Sequence, residues 1–402
     1  METNTKLFRA LLFGSIYFVE GAILTYMSGF NAIYLRSYNV PYTQIGIAGG
    51  IAMLPFILKI FIGMLSDRVN LAGLGHRKPY MVVGIVAQAV GVLLVPLVNP
   101  AQSFAAFIVL LVFISLGMST YDTCSDGLAI DSTPEKERGF VQGAMVAGRA
   151  LGAIVLASAV GLLVQRVSWT ASFVFVGLVS LVPLFLVLQV REGERGPGRE
   201  FSAAGFRSFL TPTMGLFLLL GILYPLVLYS ANGMLGAFLK EALGAAEGEV
   251  GLFISLFGVG AVLGGLAGGP LTDRLGRRVS LLGALGVTSL ALMALVGSSA
   301  VAPAVAAVLL FGFAFGYYET VYMAAGMDLA DPRIAASMFA IMMAAGNIGI
   351  GLGAPLAGVL VDRTGFDGMF IVFCLINLAC APLVLAVFKR KAAVTSGQAL
   401  NG

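Results

Sequence analysis

The sequence predicts an all-α membrane protein of twelve transmembrane helices arranged as two pseudo-symmetric six-helix bundles. Three observations carry that prediction. Of 402 residues, 59% are hydrophobic and 11% are charged, with a mean hydropathy of +0.96, whereas a water-soluble domain carries about 25% charged residues. Twelve apolar stretches each reach the roughly 20 residues that a helix needs to cross a bilayer. Motifs of the first half also return in the second half. The composition excludes an ordinary soluble enzyme. Uninterrupted apolar runs exclude a transmembrane barrel, whose strands alternate in pieces of about ten residues. The net charge of +4 does not indicate nucleic acid, because the basic residues stand in short runs between apolar stretches rather than on one face.

The stretches run 7–36, 43–66, 79–98, 103–130, 137–165, 169–190, 213–240, 248–272, 278–298, 302–328, 334–362 and 366–388. The first is too long for a cleavable signal peptide and lacks a small-residue cleavage site in the right place. Eighteen Lys and Arg fall on the side that holds both termini, against Arg36, Arg166, Lys240 and Arg363 on the other; Lys59 and Arg149 lie inside spans. This bias places both termini in the cytoplasm. The longest break contains REGERGPGRE, which divides the chain into an N-terminal bundle (1–190), a cytoplasmic linker (191–212), a C-terminal bundle (213–390) and a cytoplasmic tail (391–402). The sole tryptophan, Trp169, opens the sixth helix at an interface-anchor position.

Cys124, Cys374 and Cys380 lie in apolar segments without metal-ligand spacing and read as packing residues. No metal or other cofactor is expected. Nor is there a phosphate-binding loop or a nucleophile elbow, so ATP-driven pumping and hydrolysis are unsupported. The expected driving force is a proton gradient, and the chain is not expected to be an enzyme.

An internal repeat sets the architecture. Gly63-Met64-Leu65-Ser66-Asp67-Arg68 followed by His76-Arg77-Lys78 is answered by Gly269-Pro270-Leu271-Thr272-Asp273-Arg274 followed by Arg277-Arg278. Tyr121-Asp122-Thr123 with Asp131 is answered by Tyr318-Glu319-Thr320 with Asp328, at an offset of 197 residues that also aligns Gln165-Arg166 with Asp362-Arg363. Two parallel six-helix repeats around a midplane cavity are the architecture of rocking-bundle secondary transporters.

The G-x-x-x-D-R…R-K element resembles the signature loop of the major facilitator superfamily, and it occurs in both halves. Three segments resemble the muropeptide permeases of AmpG type and the wider group of peptide, acetyl-CoA and siderophore carriers. They are PFILKIFIGMLSDR from Pro55, YFVEG from Tyr17, and YDTCSDGLAIDSTPEKERGFVQGAMVAGRALG from Tyr121 to Gly152. The resemblance implies a proton-coupled, alternating-access carrier in a bacterial inner membrane. Its cargo would be a medium-sized anionic or peptide-like solute, a muropeptide fragment or a siderophore, moved inward. Partners are then a small-molecule solute, protons and the lipid bilayer.

Charges at the helix ends form a candidate cytoplasmic gate: Lys59, Asp67, Arg68, Asp131, Arg138, Asp273, Arg274 and Asp328. They can latch one state of the carrier by pairing with each other or with a neighbouring helix end, or they can merely fix topology. Lys59 shares a helix face with Asp67 and is expected to pair with it, the alternative being to point into the cavity.

An ionisable group at mid-membrane costs about 2.5 to 3.5 kcal/mol on insertion scales and is a functional candidate by default. Glu20 stands near the centre of the first helix; it is a proton-coupling candidate or a neutral acid hydrogen-bonded between helices. Asp122 and Asp126 at i and i+4 share one helix face, and two such carboxylates do not both ionise cheaply without a base. Arg149 is the base expected for Asp122, as gate, anion-binding point or structural pair. Glu319, the repeat-mate of Asp122, has Asn347 near the place of that arginine, which makes it a further proton-coupling candidate beside Glu20 and Asp122. The cavity candidates are Arg149, Asp126, Tyr26, Asn31, Tyr121, Tyr229, Asn232 and Tyr322, each of the polar uncharged ones equally suited to an interhelical hydrogen bond. Gly148 and Gly152, Gly260, Gly264 and Gly268, and Gly349 and Gly353 repeat at four-residue spacing and permit close helix approach; contacts within one chain suffice for them, so a monomer is expected. A multidrug antiporter exporting lipophilic compounds, or a non-transporting assembly factor or sensor on the same scaffold, are the alternative functions.

Overall fold

The computed structural model describes residues 5–73, 75–134, 137–190, 192, 211–329 and 335–388. Most of the expected linker and all of the expected tail lie outside the described residues, as do the loop cations Lys136 and Arg333. The chain is a multi-pass membrane protein, helical between short connections. The first six helices are α1 (Lys6–Thr25), α2 (Tyr42–Arg68), α3 (Lys78–Leu97), α4 (Phe104–Ser132), α5 (Arg138–Arg166) and α6 (Trp169–Gln189). They are followed by α7 (Pro212–Ala242), α8 (Glu247–Leu275), α9 (Arg277–Val296) and α10 (Val301–Leu329). The last helical run, Ala335–Ala379 with its continuation to 388, is broken at Gly365, whose φ of 73° favours glycine. It therefore comprises α11 (335–364) and α12 (366–388), which brings eleven continuous apolar runs to the twelve spans that the sequence predicts.

Local chemistry shapes two of these helices where the candidate residues stand. Beyond Thr25, α1 widens into a π-turn over Tyr26–Phe30 before a last α-helical segment, Asn31–Arg36. Such bulges concentrate at functional positions because they rotate the following residues. The hydroxyl of Tyr26 meets Asn31 Oδ1 across the bulge at 3.4 Å. In α2, Pro55 has no amide proton to donate, and the helix breaks at Met53 and Leu58 to restart at Lys59.

Two compact units result. The first is built on α1–α6 together with 233–241 and 245–255, and the second contains the rest of the described chain from α7 onward. Within the first, α1 and α5 touch backbone to backbone: a Cβ on Gly152 would collide with the Phe18 carbonyl, and one on Gly21 with the Arg149 carbonyl. Within the second, the repeat-mate of Gly152 is Gly349, where a Cβ would collide with the Ile222 carbonyl of α7. The glycine spacing thus acts as the sequence predicts. Large apolar side chains such as Phe61, Val109, Phe185 and Leu266 are left exposed, as suits a chain solvated by lipid rather than water. Trp169 and Phe173 of α6 pack edge-on against Tyr34, at ring separations of 5.1 and 5.0 Å.

Gly152→Ala is expected to destabilise the protein by on the order of 1–3 kcal/mol, the cost of overpacking. Gly143→Ala, in the same helix with open space around it, is expected to be neutral or stabilising by up to about 1 kcal/mol. Melting temperatures of the purified variants in detergent check the pair.

Candidate functional site

Four helices of the first unit bring five charged side chains and one tyrosine together at mid-span. Glu20 follows Tyr17 by three residues on α1, so both point the same way. The close contact of α1 with α5 lets the Arg149 guanidinium reach both of them: Nη2 lies 2.6 Å from Glu20 Oε1, and Cζ lies 4.8 Å from the centre of the Tyr17 ring. On α4, Asp126 stands one turn beyond Asp122 and accepts a short hydrogen bond from the Tyr17 hydroxyl. Lys59, at the restart of α2, places Nζ 3.5 Å from Asp122 Oδ2. The order is therefore Glu20–Arg149–Tyr17–Asp126 along one branch, with Asp122–Lys59 beside it.

Accessibility separates these groups. The Glu20 and Asp122 side chains are each 6% exposed, whereas those of Arg149 and Lys59 are 44% and 25% exposed. A guanidinium that open at mid-span would be costly against acyl chains and suits a face that water reaches. Asp126 is half-buried.

The partners differ from those expected. Arg149 pairs with Glu20 and not with Asp122, because the glycine contacts place α1 nearer to Arg149 than α4 is. Lys59 pairs with Asp122 and not with Asp67. Eight residues of helix, about 12 Å of rise, separate Lys59 from Asp67, and the nearer acid lies across on α4.

The helix-end charges form two matched clusters. Arg77, at the start of α3, lies 2.5 Å from Asp67 and 3.6 Å from Asp131 and donates to Ser66 Oγ at 2.6 Å. In the second unit, Arg277 lies 3.0 Å from Asp273 and 2.8 Å from Asp328. One arginine thus bridges the aspartates near the ends of the second and fourth helices of each repeat. The acids are those singled out from sequence, but the bridging cations are Arg77 and Arg277. Arg68 and Arg274 are exposed and form no ion pair among the described residues. Arg138 opens α5, and its side chain lies outside what is described. Two contributors had no local sequence signal. Arg9 of α1 pairs with Glu137 at 2.5 Å. Glu192 accepts from the backbone N–H groups of His76, Arg77 and Lys78 at 2.8, 2.8 and 2.5 Å, where the dipole of a helix start favours a carboxylate.

The second unit has no such charge cluster among the described residues. Its carboxyl, Glu319, accepts from the Tyr229 hydroxyl at 3.2 Å, and Tyr229 packs on Phe315 with ring centres 4.7 Å apart. The repeat offset carries Asp126 to Met323 and Arg149 to Gly346. In the same unit Tyr224 lies between Tyr318 and Tyr322, at 4.9 and 4.6 Å. Tyr121, Tyr322, Tyr26 and Asn31 are buried at 1%, 1%, 8% and 6% exposure, packed within their units, whereas Asn232 and Tyr229 are half-buried. Among the described residues no group of His, Cys, Asp and Glu is placed to hold a metal.

Comparison with known proteins bears on the family and the fold. The chain is 23% identical over 413 aligned positions to the Putative transporter AmpG 4 of Rickettsia conorii, covering 96% of this chain and 99% of that one. It is 24% identical to the Anhydromuropeptide permease of Escherichia coli K12, over 88% of this chain and 74% of that one. Among solved structures, the nucleoside transporter NupG superposes with a TM-score of 0.79 at 14% identity, covering 97% of this chain and 100% of that one; at that identity the likeness is one of fold. The profile of the Major Facilitator Superfamily matches residues 13–228 and again 217–401, one match to each repeat, and the chain belongs to that family of transporters.

Proposed function

We propose that the protein is a proton-coupled carrier that imports a medium-sized anionic or peptide-like solute, of the muropeptide kind, by alternating access across a bacterial inner membrane. The observation that carries this reading is the open guanidinium of Arg149, 44% exposed at mid-span and held by Glu20 on one edge only. A guanidinium has five N–H donors in a fixed fork, so the donors that Glu20 leaves free suit a carboxylate of the solute, with Lys59 as a second cation near by. The Escherichia coli relative is named for anhydromuropeptide, a solute whose peptide carries carboxylates. The two Asp–Arg–Asp clusters serve in this reading as latches at the cytoplasmic helix ends, with both termini on that side.

The test is uptake of a labelled anhydromuropeptide into proteoliposomes with an imposed inward proton gradient. Accumulation that a protonophore collapses is the expected result, and absence of both accumulation and exchange overturns the cargo assignment. Arg149→Ala is expected to lower uptake by about 100-fold, equivalent to about 2.7 kcal/mol. The swap Glu20→Arg with Arg149→Glu separates binding from stability: the melting temperature is expected to recover towards that of the parent while uptake does not. Recovered uptake would place the cation's role in the ion pair alone.

The latches are expected to act on rate. Arg77→Ala leaves Asp67 and Asp131 without their shared cation and is expected to lower the maximal transport rate about tenfold while solute affinity changes by less than about twofold. Arg277→Ala is expected to behave alike, and initial-rate kinetics on the two variants check the expectation.

A further inference from the structure

We propose, resting on the carrier reading above, that Asp126 is the carboxyl of the first unit that takes up and releases the coupling proton, and that Tyr17 is the positioning residue linking its charge to Arg149. The starting point is charge balance. Three carboxylates (Glu20, Asp122, Asp126) share their surroundings with two cations (Arg149, Lys59), so with all five ionised the cluster holds one uncompensated negative charge in a medium that opposes it.

Geometry identifies which carboxyl is left over. Glu20 is matched by Arg149 at 2.6 Å and Asp122 by Lys59 at 3.5 Å, and both acids are almost wholly buried. The second oxygen of Glu20 is sealed with no hydrogen-bond partner; a proton on it would equally lack an acceptor, so it makes a poor exchange point. Asp126 forms no ion pair among the described residues, and its hydrogen bond comes from a neutral hydroxyl. It is also the one acid of the three that is only half-buried, and water must reach the group that exchanges a proton. The groups that face it are Tyr17 and Glu20 from α1, Lys59 from α2, Asp122 on its own helix and Arg149 from α5.

The step is a plain proton transfer. Water on one side delivers a proton to an Asp126 oxygen, and the same O–H bond is broken towards water on the other side. Protonated, the cluster is neutral; an anionic solute arriving at Arg149 then restores one negative charge, and the two loads compensate. Binding of either therefore favours binding of the other, by an equal factor in both directions. Tyr17 connects the two events, since its hydroxyl is on Asp126 and its ring lies under the guanidinium of Arg149. A protonated Asp126 is a weaker acceptor than a carboxylate, which loosens the tyrosine on which Arg149 rests.

The experiment uses the full chain in proteoliposomes with labelled anhydromuropeptide, reading solute and, with a trapped pH dye, protons. Asp126→Asn is expected to keep measurable solute counterflow but to lose proton-driven accumulation and solute-induced proton entry; Asp126→Glu is expected to regain both. Tyr17→Phe keeps the ring and is expected to displace the pH profile of uptake by about one pH unit, the scale of one hydrogen bond to a charged group. Accumulation and proton entry persisting in Asp126→Asn, or a Tyr17→Phe profile lowered equally at every pH, overturns the proposal while leaving the carrier reading in place. A parent protein that exchanges no anhydromuropeptide overturns the cargo assignment and, with it, this proposal. Should Asp126→Asn fail to fold, the Tyr17→Phe profile still decides.

Discussion

Backbone contact between α1 and α5 is the constraint from which the charged cluster follows. With no side chain at Gly21 or Gly152, the two helices meet closely enough for carbonyls to lie where Cβ atoms would otherwise stand. Arg149 is then close to α1, and its guanidinium reaches Glu20 and the face of Tyr17. Once Glu20 has taken that cation, Asp122 is left to Lys59 and Asp126 to the Tyr17 hydroxyl. Each partnership is conditional on the one before it, because a buried charge that loses its counter-ion costs several kcal/mol. The glycines carry no charge, yet the close approach they allow decides which acid meets which base.

The two repeats have diverged where charge is costly and stayed alike where it is cheap. At the helix ends, Asp67–Arg77–Asp131 and Asp273–Arg277–Asp328 retain one arrangement in both units. Those acids are partly exposed, and pairing in contact with water carries little penalty. At mid-span the first unit keeps five charged groups, whereas the second has Glu319 with Tyr229 and an aromatic stack. Maintaining ionisable groups there is costly; the first unit holds them as a paired cluster, while the second packs Tyr224, Tyr318 and Tyr322 as buried rings.

Glu192 ties the end of the first bundle to its Asp67–Arg77–Asp131 cluster. Its carboxylate gathers three amides at the start of α3, and Lys78 donates in turn to the carbonyls of Leu188 and Val190 at the end of α6. Arg77 is thereby held by its backbone while its side chain spans Asp67 and Asp131. The first residues after α6 are in this way joined to that cluster, a link between positions more than a hundred residues apart that no local pattern announces.

Much was legible from the residues alone. Hydropathy determined the number of spans, with Gly365 confirming as a φ of 73° the break expected near 362–366. Periodicity determined that Asp122 and Asp126 share a face, and the repeat determined which acids belong to the helix-end clusters. These are properties of one helix or one loop, where spacing along the chain is spacing in space. Pairing is different: whether Arg149 meets Asp122 or Glu20, and whether Lys59 meets Asp67 or Asp122, depends on how neighbouring helices are rotated and how near they approach. Glycine contacts and the Pro55 break set those quantities between helices, and so only the tertiary structure decided which cation each buried carboxylate holds and which carboxylate is left without one.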